Sequence, residues 1–118
     1  MATRTVQNEA WFVVAAATFT DTTTWHYGPT ATDASVIGPL VFLAINGLNQ
    51  GVNLKYQGSI DGTNWVDLGT TPSFSVAAGA SRSDTLTDNW PLVRPAVQAQ
   101  VVPTTGQVTF QFSWTEET

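Results

Sequence analysis

Residues 107 to 115 read QVTFQFSWT, and the alternation is strict: Val108, Phe110, Phe112 and Trp114 fall on one side of an extended chain, Thr109, Gln111, Ser113 and Thr115 on the other. One face is built for a core, and the other is uncharged and rich in hydroxyls. Residues 92–102 repeat the pattern, with Val93, Val97, Ala99 and Val101 opposed to Arg94, Gln98 and Gln100. The PTTG at 103–106 has turn chemistry, so the two runs are predicted to form a hairpin. In residues 52–60, Val52, Leu54, Tyr56, Gly58 and Ile60 share a face against Asn53, Lys55, Gln57 and Ser59.

Working outward, short apolar or alternating runs are separated throughout by clusters of Gly, Pro, Asn, Asp and Thr. Strands are predicted at 2–7, 10–19, 23–27, 36–46, 52–60, 64–68, 73–77, 82–87, 92–102 and 107–115. No window keeps a helical period, although 30–36 has room for a single turn. PLVFLAI at 39–45 is apolar on both faces, as in a central strand covered twice or a surface buried by another chain. An all-β antiparallel β-sandwich follows, of jelly-roll or related Greek-key topology, with an immunoglobulin-like arrangement as the alternative.

A chain of 118 residues accommodates one hydrophobic core. The predicted organisation is an N-terminal arm or first edge strand at 1–9, a single sandwich domain at 10–115 and an acidic tail at 116–118. The formal net charge is -5, and the four basic residues, Arg4, Lys55, Arg82 and Arg94, are widely spaced, which leaves no basic footprint for nucleic acid. AWFVVAAATF at 10–19 has the look of a signal-peptide core, but Glu9 before it and its aromatic and valine content favour a mature strand. It is too short to cross a bilayer as a helix, and no membrane partner is expected. With no cysteine, thiolate catalysis, disulfides and sulfur-ligated metals are excluded.

YQGSIDGTNW at 56–65 raises the question of whether Asp61 is a catalytic acid, a ligand-binding group or a scaffold residue. Asp61 followed by Gly62 is a turn signal, with glycine free to take positive φ and the carboxylate able to accept backbone N–H groups. Trp65 is then expected to re-enter the sheet and plug the end of the core. Catalytic constellations do not stand out. His26 is the single histidine and sits between Trp25 and Tyr27, and no motif selects two of the nine acids as a glycosidase pair. Calcium ligands are conceivable at Asp61, Asn64 and Asp67 or at Asp84, Asp88 and Asn89, but neither set has EF-hand spacing. No catalytic residue and no cofactor are expected. Five tryptophans, at 11, 25, 65, 90 and 114, exceed what a core of this size needs, so some are expected near a surface where sugars or another subunit are met.

LKYQGSIDGTNWVDLG at 54–69, together with WPLVRPAVQAQVVPTTGQVTFQFSW at 90–114, resembles the small β-sandwich proteins of tailed-phage virions, the capsid decoration and cement proteins among them. The resemblance lies in a Ser-x-Asp-Gly-x-x-Trp corner, here Ser59, Asp61, Gly62 and Trp65, followed by a strand bearing Arg94, a Thr/Gly turn and a last alternating strand. The corner is also similar to that of discoidin-like domains, from which this chain departs in its shorter length and missing cysteine pair. The virion resemblance implies a structural protein on the outer surface of the capsid that binds and stabilises major capsid protein or other virion subunits. It further implies homo-oligomers, with a trimer as the geometric expectation. A carbohydrate-binding or host-attachment module of a tail or head fibre is the alternative. Asp61, Gly62, Trp65, Arg94 and Trp114 are then structural turn and core anchors, while Trp11, Trp25, His26, Tyr27 and Trp90 are candidate subunit or ligand contacts.

Overall fold

The computed structural model describes residues 3–32, 36–68, 74–86 and 90–117, with side chains described for 11–30, 41–68, 74–85 and 90–113. Its strands are β1 (Thr3–Ala15), β2 (His26–Tyr27), β3 (Ala31–Thr32), β4 (Val36–Asn46), β5 (Val52–Ser59), β6 (Trp65–Asp67), β7 (Phe74–Val76), β8 (Ser81–Leu86), β9 (Leu92–Ala99) and β10 (Gln107–Glu117). A 3-10 turn at Ala16–Thr18 is the one helical element among the described residues. Of residues 30–36, where a single turn of helix has room, 31 and 32 form β3 and Val36 begins β4, while 33–35 lie outside the described residues.

The strands form two antiparallel sheets. Sheet A has the order β1-β10-β4-β8. Sheet B has the path β2-β9-β5-β6, with β3 also on β9 and β7 also on β5. Each edge of sheet B is thus a strand split in two, because β2 and β3 share one side of β9 while β6 and β7 share one side of β5. Counting each split edge as one position, the chain pairs first with last, second with seventh, third with sixth and fourth with fifth. That is one long hairpin rolled on itself, the jelly roll. The short split edges also offer little template for another strand.

The predicted hairpin between 92–102 and 107–115 is not formed. β9 belongs to sheet B and β10 to sheet A, and residues 100–106 cross between them. Turn residues signal a reversal but not which sheet receives the next strand. The crossing is pinned to the β4–β5 loop by Asn49, whose amide oxygen accepts the backbone N–H groups of Thr104 and Thr105 at 3.0 and 3.3 Å. Gly106, at φ 89°, lies so close to the Gly47 carbonyl that a β-carbon would overlap it.

The core fills the space between the sheets. Phe42 of β4 stacks on Tyr56 of β5 with ring centroids 4.3 Å apart, and Phe110 meets Tyr56 edge-on at 6.3 Å. The register of β1 against β10 slips between Asn8 and Phe12. This bulge lets two consecutive aromatics face inward, Trp11 stacking on Phe112 and Phe12 on Phe110. Asn46 is a buried polar residue at the end of the core. Its amide donates to the carbonyls of Gln50, Val76 and Ala77 and its oxygen accepts the Leu48 N–H, which ties the end of β4 to β7.

β1 runs through the boundary expected at residues 9 and 10, and β10 continues to Glu117, so Glu116 and Glu117 lie opposite Arg4 and Thr3 in a ladder. Two residues of the alternating runs leave the core side. Ile60 is 78% exposed and Val101 is also exposed, because β5 ends at Ser59 and β9 at Ala99. Alternation in sequence carries structural meaning only as far as the ladder extends.

Candidate functional site

Asp61 is a turn-former. Its carboxylate accepts the backbone N–H groups of Thr63 and Asn64, both at 2.8 Å, the Asn64 side-chain amide at 2.8 Å and the Ser59 hydroxyl at 3.2 Å. Gly62 takes φ 79° and donates its N–H to Ser59 Oγ. These donors, the Asn64 backbone N–H foremost, hold the Asp61 carboxyl far below the usual carboxylate range. A carboxylate so wrapped and so acidic does not serve as a proton donor near neutral pH.

The same device occurs a second time. Asp21 accepts the backbone N–H groups of Thr23 and Thr24 at 3.1 and 2.8 Å and the Thr24 hydroxyl at 2.8 Å, and its carboxyl is likewise lowered, chiefly by the Thr24 N–H. DTTTW at 21–25 and DGTNW at 61–65 therefore fold alike, each delivering a tryptophan four residues after its aspartate. This echo is visible in the sequence once the corner, rather than the strand, is taken as the unit of comparison.

The two tryptophans reach the outer face of sheet B, and each carries a cation. Lys55 Nζ lies 4.3 Å from the Trp25 ring centroid. Arg94 Cζ lies 4.1 Å from the Trp65 centroid and 4.1 Å from that of Tyr27, so its guanidinium sits between two rings supplied by opposite edges of the sheet. Trp65 is consequently not a core plug: it is half-buried on the outside, where β6 places it opposite Ser59. Arg94 is likewise an outer-face residue. Its Nε donates to Gln57 Oε1 at 2.9 Å, Gln57 Nε2 donates to Asp67 at 2.9 Å, and Asp67 pairs with Lys55 at 3.3 Å.

The remaining aromatic candidates divide between core and surface. Trp90 packs against the core over Gly58 and Trp11 against Phe42 and Phe112, and both are partly buried. His26 turns inward from β2 and meets Phe19 edge-on at 5.0 Å. Tyr27 points outward and is 45% exposed. Trp114 lies in β10 opposite Val6, and its side chain is outside the described ones. Trp90 thus fills the end-of-core position expected of Trp65.

Sheet A presents a different outer face. Its cross-strand rows are Val13–Thr109–Ile45–Ser81, then Gln111–Leu43–Ser83, then Ser113–Val41–Thr85. None of these positions is charged. Val13, Val41 and Ile45 are exposed, whereas their neighbours Phe42 and Ala44 are fully buried. PLVFLAI is therefore central in its sheet, but over its described side chains, 41–45, it is covered on one side only.

Among the described residues, no three of His, Cys, Asp and Glu gather as metal ligands. Of the two conceivable calcium sets, Asp61 is engaged by the donors of its own loop and Asp67 Oδ1 by Gln57 and Lys55, while Asp88 and Asn89 lie outside the described residues.

No protein-family model matches the chain, and no curated protein matches it in sequence. Solved structures do. The PBSX exported protein XepA superimposes with a TM-score of 0.72 at 15% identity over 96% of this chain. The Bacillus endospore appendages, described as a novel family of disulfide-linked pili, give a TM-score of 0.58 at 14% identity over 99% of this chain and 93% of theirs. The likeness is one of fold. This chain spans 38% of the XepA chain that it matches.

Proposed function

We propose that this protein is a structural virion protein that docks through the outer face of sheet A, most specifically a capsid decoration or cement protein on major capsid subunits. The observation that carries this reading is the uncharged outer face over the described rows of β1, β10, β4 and β8, where Val13, Val41, Leu43 and Ile45 stand among Ser, Thr and Gln. Such a face loses little on desolvation, because hydroxyls and amides cost less to bury beside a partner than Lys or Glu. Weak contacts of this kind become firm attachment when repeated across a lattice. The role needs no catalytic residue. The sandwich fold that this chain shares with the PBSX exported protein XepA and with the endospore-appendage pili supports an assembly role. The disulfide linkage named for those pili is not open to this chain, which has no cysteine.

Cryo-electron microscopy of the native particle with the protein bound tests this directly. Sheet A is expected against the capsid subunits, and a Val41→Lys/Ile45→Lys double variant is expected to fold but lose at least 100-fold in particle occupancy. Contact made only through sheet B, or full occupancy by the double variant, would overturn it. Sedimentation of the free protein measures self-association, for which a trimer is the geometric expectation. A strict monomer that ignores assembled capsids and binds glycans through its tryptophans would replace this reading with that of a carbohydrate-binding or host-attachment module.

A further inference from the structure

We propose that Arg94 is a carboxylate receptor on the outer face of sheet B, and that its ligand is an acidic, uronate-bearing polysaccharide. This inference does not depend on the docking role of sheet A. Among the described cations, Lys55 is paired with Asp67 and Arg82 with Asp84, while Arg94 has no carboxylate partner. Its Nε is taken by Gln57 and its faces by Tyr27 and Trp65, each at 4.1 Å. That leaves the Nη1/Nη2 edge, the fork that matches the two oxygens of a carboxylate in one plane.

The guanidinium is also held in place before any ligand arrives. The chain of contacts Arg94–Gln57–Asp67–Lys55 fixes its Nε side, and the two rings fix its plane. A receptor whose side chain is already immobile forfeits less entropy on binding than a free surface arginine. The overall charge of the chain is negative, but the nearby acids are satisfied: Asp67 by Lys55, and Asp61 by the amides of its own loop. A sugar is favoured over an acidic peptide by what flanks the fork. Tyr27, Trp65 and Trp25 give half-exposed or exposed ring surface to either side, and the exposed Thr63 and Asn64 sit beside Trp65 as hydrogen-bonding groups.

Calorimetric titration of the intact chain with a galacturonate hexamer tests the proposal, with the fully methyl-esterified hexamer as the matched ligand lacking charge. Binding of the acid is expected, at least tenfold tighter than the ester. Arg94→Lys, which keeps the charge but loses the fork and the stacking, is expected to weaken binding at least tenfold while the protein stays folded. Absence of acid binding, equal binding of acid and ester, or full affinity in a folded Arg94→Lys protein would each overturn the assignment. The acid–ester comparison needs only the wild-type protein, so a variant that fails to fold does not spare the proposal. A hexaglutamate peptide that binds as tightly as the uronate would overturn the sugar assignment in favour of an acidic protein segment.

Discussion

The indole of Trp90 lies so closely over Gly58 that a β-carbon at residue 58 would stand 2.6 Å from Trp90 Cδ2. Gly58 faces the core opposite Val93, so the missing side chain is the socket for the ring. Replacing Gly58 with alanine should expel or tilt Trp90 and cost about 1–3 kcal/mol. Chemical denaturation gives the cost, and a changed tryptophan emission in the folded state reports the displaced ring. Trp65→Ala, by contrast, removes one cation–π contact on the outside and should cost only about 0.5–1 kcal/mol.

Adjacent residues of β4 should differ sharply. Phe42 is fully buried, stacks on Tyr56 and Phe112 and packs at a tilt against Trp11, so Phe42→Ala should lose about 3–5 kcal/mol. Val41 is 39% exposed on the other face, and Val41→Thr should stay within about 0.5 kcal/mol of wild type. Urea denaturation of the two variants side by side checks the contrast.

Tyr56 is buried with its hydroxyl unpaired among the described residues. Its ring is strongly supported by Phe42 and Phe110, but the hydroxyl contributes nothing in return. Tyr56→Phe should therefore be neutral or stabilise by about 1 kcal/mol. Burial first, and the negative charge of Asp84 second, push the phenol above its usual range. The neutral form is the one that the fold accommodates, so its contribution is complete below about pH 10 and is lost as pH rises beyond it. In a Tyr27→Phe background, absorbance at the phenolate band should rise together with loss of β-sheet signal, not before it.

At the Asp61 corner, Gly62→Val places a branched side chain at φ 79° and should cost about 1–3 kcal/mol. Asp61→Asn should be milder, because an amide oxygen can still accept the Thr63 and Asn64 N–H groups while only the contact to the Asn64 side chain is lost. The depressed Asp61 pKa means that the stabilisation is complete at neutral pH, begins to fade below about pH 4 and is gone once the folded-state carboxyl is protonated. Thermal melts of wild type and Asp61→Asn between neutral pH and pH 2 should converge as that part is removed.

Strands were legible in the sequence where one face is wet and the other dry, as in β5 and β10, because the period of two then reports burial directly. The limits of that signal are physical too. Ile60 and Val101 continue an apolar alternation past the last ladder bond, and only the ladder decides the side on which they fall. PTTG has the residues of a hairpin turn, yet the chain crosses to the opposite sheet there, since local dihedral preference says nothing about which partner strand is free. The exchange of roles between Trp65 and Trp90 was hidden for a similar reason. Either indole suits the end of the core, and what selects Trp90 is the vacancy at Gly58, a fact about a residue far away along the chain. The cradle around Arg94 draws on four strands, β2, β5, β6 and β9, and no short window of sequence contains it.

The pairing of Thr3 with Glu117 sets how the molecule bears load. Both ends of the described chain lie at the same end of the β1–β10 ladder, whose bonds run along the direction in which the ends would be pulled apart. Tension applied through the termini would break those bonds one pair at a time, like a zipper, and the fold would yield at low force. Stress entering through the broad faces meets the interlocked rings of Phe42, Tyr56 and Phe110 all at once. A protein of this build is mechanically sound as a plate pressed between neighbours and poor as a link in a rope.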